Sequence, residues 1–193
     1  MPGILQFILL MLCLSIFALN KVSETLIVVK VRDKRFIAAH LGGPLSLDNH
    51  RLLMGWAIAC AEHAVSLAES EVLDQRLLDA LQVAKEWKDG TVKTGVAMKV
   101  ARQTHSIART ISDPLLRSIA RAIGQGVGTA HASDHSVGAA LYALKAANYA
   151  GKSVYEELAW QDEQMENLPT QIKQLLKESR SQKQQGFKDL RDL

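Results

Sequence analysis

From residue 48 onward, apolar side chains recur every three or four positions, the spacing that lines them along one face of an α-helix. Leu53, Trp56, Cys60, Ala64 and Leu67 make a first stripe. Gly42-Gly43-Pro44 punctuates the chain ahead of it, and Ser46 or Asp48 can cap it. Leu73, Leu77, Ala80, Leu81, Ala84 and Trp87 make a second stripe, stopped at Asp89-Gly90, where glycine can take the left-handed conformation. A third starts near Thr94 and carries Ala97, Val100, Ala101, Thr104, Ala108 and Ile111. Asp113 then caps a further helix, and Pro114 suits its first turn.

After Pro114 the pattern predicts one long Gly/Ala-rich central helix to about Asn148, stopped by Gly151, with a break near Gly124 to Gly128 as the alternative. Each glycine there weakens a helix by about 1 kcal/mol relative to alanine. Gly124 and Gly128 lie one turn apart and with Ala132 predict a small-residue groove for close helix approach, within the fold or between copies in a homo-oligomer. Ser153 and Glu156 have capping-box spacing for a helix to about Asn167. Leu168-Pro169 ends it, and Ile172, Leu175 and Leu176 mark a last amphipathic turn or two. Apolar spacing is lost beyond Glu178, which predicts a solvated polar tail over residues 177–193. The fold expected is an all-α bundle of about five or six helices.

The chain begins differently. Residues 3–19 carry no charge and are almost wholly apolar, at the short limit for a membrane span and similar to the apolar part of a secretory signal. No basic residue precedes them, and Lys21, Lys30, Arg32, Lys34 and Arg35 follow. Positive-inside logic therefore places the body in the cytoplasm if the segment anchors it. Four readings of residues 1–20 stand: an anchor, a leader for export, an over-extended reading frame, or an ordinary buried segment packed on the domain. Membrane contact is expected only through residues 3–19. Residues 25–31 are β-branched and read as a strand or extended arm without a partner strand.

Composition removes whole classes of function. The 193 residues carry 23 Lys plus Arg against 20 Asp plus Glu, and a net charge of +3 does not call for a nucleic-acid partner. Aromatics are only 5% of the chain, too few to stack single-stranded bases in series. Two cysteines, Cys13 and Cys60, cannot build a disulfide framework or a Cys-rich zinc site. No serine elbow, phosphate loop or dinucleotide fingerprint occurs, so an enzyme is poorly supported.

The histidines are the remaining chemistry. His131 and His135 are one helical turn apart, a good bidentate arrangement for a divalent metal ion, with His63, His105, Glu62 or Asp134 available as a third ligand. The opposing reading needs no cofactor: the imidazoles are buried, hydrogen-bond across helices and set their register. Cys60 sits on an apolar face and reads as a small core residue. His63 lies near enough to touch it, while Glu62 points elsewhere. Trp56, Trp87 and Trp160 read as core fillers or helix-junction anchors. Asp74 and Arg76, at the entry of the second helix, read as partners for neighbouring helix ends, or else as a solvated surface pair.

Several short motifs together resemble a known family. They are Asp33-Lys-Arg-Phe36, Gly42-Gly43, His50-Arg-Leu-Leu53, Trp56-Ala57 and Cys60-Ala-Glu-His63, then Asp74-Gln-Arg76, Trp87 and Ala101-Arg102 with His105. Ala130-His131-Ala-Ser-Asp-His135 with Gly138 and Tyr142 follows, and Glu157, Trp160-Gln161 and Leu168-Pro169 close the set. This order resembles the Imm-five-like immunity proteins of bacterial polymorphic toxin systems over residues 31–176. The resemblance implies an α-helical domain whose partner is a cognate toxin, neutralised by binding. It carries no established active site, and it does not extend to residues 1–20.

Overall fold

Four helices begin at side-chain caps, three of which the sequence announces. Ser46 Oγ accepts from the Asn49 amide, Asp74 from Arg76, Asp113 from Leu116 and Ser153 from Glu156. Each satisfies an amide the first turn would otherwise leave bare. The structure, a computed structural model, describes residues 32–68, 73–187 and 190. The apolar segment 3–19 and the strand or arm at 25–31 lie outside the described residues. All described residues but Arg32 belong to the unit Asp33–Leu193.

That unit contains α1 (Leu47–Ser66), α2 (Gln75–Lys88), α3 (Thr94–Thr110), α4 (Pro114–Gly128), α5 (His135–Tyr149), α6 (Val154–Glu163) and α7 (Thr170–Gln184). Two 3₁₀ turns, Lys34–Phe36 and Ala39–Leu41, precede them, and Ala38 and Leu45 form an isolated bridge. Among the described residues there is no strand, and no helix is long and apolar enough to cross a membrane. Gly90 and Gly151, at φ +82° and +68°, turn the chain after α2 and α5 as expected.

α5 is the centre. Nine of its fifteen residues are buried, from Ser136 and Val137 through Ala139, Ala140, Leu141, Ala143 and Leu144 to Ala146 and Ala147. The half-buried positions His135, Gly138, Tyr142 and Lys145 fall on one stripe, and the rest of the circumference is covered by neighbouring helices over three turns. α1, α4, α6 and α7 all pack on it, while α3 packs on α4 and α2. The predicted faces of the first two helices are the observed ones: Leu53, Trp56, Cys60 and Ala64 are buried on α1, and Leu77, Ala80, Leu81, Ala84 and Trp87 on α2.

Three expectations are corrected. The long central helix is two helices, separated by residues 129–134. In a continuous helix the Thr129 carbonyl would accept from the Ser133 amide. Instead it accepts from His50 Nε2 at 2.6 Å, while Ser133 Oγ donates to the Phe36 carbonyl at 2.6 Å. Two tertiary hydrogen bonds thus replace the next helical turn. The break falls immediately after the glycines rather than among them.

The first part of the polar tail, residues 177–184, is likewise helix. α7 continues to Gln184, with Ser179 and Arg180 buried on the stripe begun by Ile172, Leu175 and Leu176. The spacing persists while the side chains turn polar, so a hydrophobicity pattern loses sight of it. The predicted groove is filled differently too. Gly126, not Gly124 or Gly128, admits a neighbouring backbone: a Cβ on it would lie 3.6 Å from the Ala57 carbonyl oxygen of α1. Gly124 and Gly128 receive imidazole rings instead.

Candidate functional site

Where α1, α5, α6 and α7 meet, a chain of buried polar side chains crosses the bundle. His63 Nδ1 on α1 donates to Glu157 Oε2 on α6 at 2.6 Å. Glu157 Oε1 accepts from Gln161 Nε2 at 2.8 Å, and the same amide reaches the Ala140 carbonyl of α5 at 3.1 Å. Gln161 Oε1 accepts from Arg180 Nη1 of α7 at 3.2 Å. Arg180 also pairs with Asp162, which Lys177 approaches at 3.3 Å. One carboxylate and one guanidinium are therefore buried together with every intervening polar atom partnered, the condition under which burying charge is tolerated. The helical spacing of α6 explains the convergence: Glu157 and Gln161 are one turn apart and are its two buried residues.

Trp160 covers this dyad. Its ring stacks on His63 at 3.9 Å, inclined by 20°. Trp56, the core tryptophan of α1, donates from Nε1 to the Gln161 carbonyl at 3.1 Å. Beside the pair opens a pocket of about 340 Å³, bordered by His63, Lys152, Ser153, Glu156 and Trp160. The Glu157 side chain is 3% exposed and the His63 side chain 33%, so the imidazole lies between the sealed carboxylate and solvent. Burial pushes the Glu157 carboxyl above its ordinary range, against the lowering effect of Gln161, His63 and Arg180.

An imidazole oriented by a buried carboxylate is half of a nucleophilic machine, the other half being an activated nucleophile. Cys60, three residues before His63, does not supply it. The thiol is wholly buried, and burial together with the Glu157 charge holds its pKa well above the usual thiol value. A neutral, enclosed thiol packs as a small hydrophobe. Glu62 points away, as its position on the helix predicts, and pairs with Lys85 at 2.6 Å.

His105, His131 and His135 form a second group between α3, α4 and the start of α5. His135 Nδ1 meets Gln125 Oε1 at 2.5 Å, and Arg121 Nη1 meets His105 Nδ1 at 3.3 Å. Burial, with the charges of His131, Lys183 and His105, depresses the His135 pKa to about 4 against a weaker opposing pull from Asp134. Burial and then Arg121, Arg109 and His131 lower that of His105. Near neutral pH these two rings are uncharged. His135 is half-buried and His131 is exposed, so the expectation that both sit crowded in the interior holds for neither.

The four histidines considered as metal ligands are thus not one set. His63 is engaged by α6, and His105, His131 and His135 couple to one another. Among the described residues no three His, Cys, Asp or Glu side chains are arranged to hold a metal ion.

Other marked residues have local roles. Asp74 and Arg76 pair with each other at 2.5 Å at the exposed start of α2. Trp87 Nε1 donates to Thr94 Oγ1 at 2.9 Å, tying α2 to α3. His50, at 4% exposure, bonds the Thr129 carbonyl and packs its ring 4.8 Å from that of Trp87. Sequence reasoning gave no role to His50, Gln125 or Arg180. A usable signal existed for two of them: His50 lies on the stripe of Leu53 and Ala57, and Arg180 on that of Leu176.

The model of one protein family, described as Imm-5 like putative immunity protein, matches residues 43–168. No curated protein and no solved structure matches the chain.

Proposed function

Because the chain belongs to the Imm-5 like immunity protein family, we propose that it binds a cognate bacterial toxin of a polymorphic toxin system and neutralises it by occlusion, without chemistry of its own. The family match carries this reading. It spans α1 to α6 and takes in His63, Glu157 and Gln161 of the buried network, while the two 3₁₀ turns and α7 lie beyond it. A bundle pinned by such a network presents a preorganised surface, and a rigid binder loses less entropy on association than a flexible one. On this reading the helical domain works in the cytoplasm, on the side where an arriving toxin would act.

The test is co-expression of the full chain with each toxin domain encoded beside its gene. The expected result is restored growth with one of them and a stable stoichiometric complex on size-exclusion chromatography. No protection against any of these toxins, or protection by far less than one equivalent of the chain, would refute neutralisation by binding.

A further inference from the structure

The geometry points to the outer face of α3 and α4, with the loop that follows α4, as a cationic docking surface for an acidic protein partner. This deepens the immunity reading by giving the toxin surface a chemistry.

Charge is unevenly spread along the chain. Residues 91–134 hold Lys93, Lys99, Arg102, Arg109, Arg117 and Arg121 against two carboxylates, Asp113 and Asp134, a net +4 in a chain whose total is +3, and Asp134 pairs with Lys183 at 3.1 Å. Asp113 is already engaged, since it accepts from the Leu116 amide as the cap of α4. Elsewhere in the described fold most cations are paired: Arg35, Arg76, Lys85, Lys88, Lys173, Lys177, Arg180 and Lys183 each lie within 4 Å of a carboxylate, whereas Lys34 and Arg51 do not. None of the six cations in residues 91–134 has an ion pair among the described residues. Four of them turn to neutral atoms instead. Arg102 reaches Met98 Sδ, Arg109 reaches Ser106 Oγ, Arg117 reaches the Ile111 carbonyl and Arg121 reaches His105.

The fold gathers these charges. Lys99, Arg102 and Arg109 are exposed and recur at helical spacing on α3. Arg117 and Arg121 are one turn apart on α4, which packs against α3. The contact of Arg121 with His105 joins the two helices, and His131 lies close enough for its charge to bear on His105. Like charges placed together repel in the free protein, and an acidic partner relieves that repulsion while steering encounter.

The surroundings favour a protein over a nucleic acid. Residues 91–134 contain no Phe, Trp or Tyr on which bases could stack. The open groove of about 390 Å³ between α2 and α3, lined by Val83, Val100 and Ile107 with Arg76, Asp79 and Gln103, takes none of the six cations into its lining and is not part of this surface.

The experiment titrates ¹⁵N-labelled full chain with a poly-L-glutamate of about 20 residues, and separately with an RNA duplex of equal charge, at low and physiological salt. Shifts confined to α3, α4 and residues 129–134 are expected, with tighter binding to the glutamate. A triple variant, Arg102→Glu/Arg109→Glu/Arg117→Glu, is expected to bind about tenfold more weakly, and Lys34→Glu less than threefold more weakly. Shifts scattered over other helices, tighter binding of the RNA, or unchanged affinity of the triple variant would each overturn the proposal.

The toxin neutralised in co-expression gives a second arm. There the triple variant is expected to associate about tenfold more slowly at low salt. If wild type and triple variant protect equally and associate at equal rates, this surface is wrong and the immunity reading stands. If poly-glutamate maps to the patch but no toxin is neutralised, the immunity reading fails and the acidic-partner surface stands.

Discussion

Arg180→Met removes the only buried guanidinium of the polar network while keeping an unbranched apolar stem of similar reach. Gln161 is fully buried, and its Oε1 loses the Arg180 donor. Leaving such an acceptor unsatisfied costs about 1–3 kcal/mol. The pair with Asp162 adds little, because that carboxylate is 35% exposed and keeps Lys177. An ion pair so screened contributes about 0–1 kcal/mol. Loss of a positive charge near buried Glu157 acts in the same direction. The sum is a destabilisation of about 2 kcal/mol, or a Tm lower by about 4–8 °C for a chain of this size. Urea unfolding followed by far-UV circular dichroism would show the midpoint fall with an unchanged slope. In a double-mutant cycle with Gln161→Leu, the two effects should be non-additive by about 1 kcal/mol. An Arg180→Met midpoint equal to wild type, or strictly additive effects, would show that the end of α7 does not dock on α6 and that the network is misassigned.

Other outcomes follow from the same contacts. A Cβ on Gly124 would lie 2.7 Å from His105 Cε1 and Nδ1, so Gly124→Ala should forfeit the roughly 1 kcal/mol that alanine usually adds to a helix and cost about 1 kcal/mol more, whereas in a His105→Ala background it should stabilise; urea midpoints of the four proteins decide it. The lowered pKa values of His50, His105 and His135 mean these rings are held neutral in the fold. Their contribution is complete above the unfolded value of 6.5 and lost as pH falls toward about 4 for His135. The raised Glu157 has the opposite sign, its cost easing as pH falls toward 4.5, so the net loss should be shallower in wild type than in Glu157→Gln and shallowest in His135→Gln, read by thermal melts across that window. In full-length Cys13→Ser, Cys60 should stay unreactive toward a thiol reagent under native conditions and react at once in urea; rapid native labelling would contradict its burial.

Much of the helical architecture was legible because caps and apolar stripes are local signals. Ser46, Asp113 and Ser153 act as caps where their types and spacings say they should, and Asp74, read only as a charged partner, caps as well. What escaped was decided at long range. Nothing within residues 114–148 announces that the Thr129 carbonyl will be taken by a histidine 79 positions earlier, so the helix read through its own break. The docked half of α7 was hidden for a related reason: its buried face is completed by Ser179 and Arg180, whose polarity suits partners on α6 rather than a hydrophobic stripe. Of the candidate site, His63 and its neighbourhood to Cys60 were visible, and Glu157 and Gln161 stood out only as family motifs. Their union needed α6 folded back over α1.

The enclosure of α5 sets an order on how this chain can be made. A ribosome that has just completed Tyr149 has already synthesised α1 and α4, two of the helices that pack on α5. The side around Ala140 still waits for α6 and α7, some 35 residues downstream. Until Gln184 has emerged, a largely apolar surface and the partners of a buried carboxylate are open to water and to other nascent chains. Release of the last helix, more than the collapse of the first, is then the moment at which this protein becomes safe from its neighbours, and a stop codon before residue 170 would cost the cell an aggregate rather than a shorter protein.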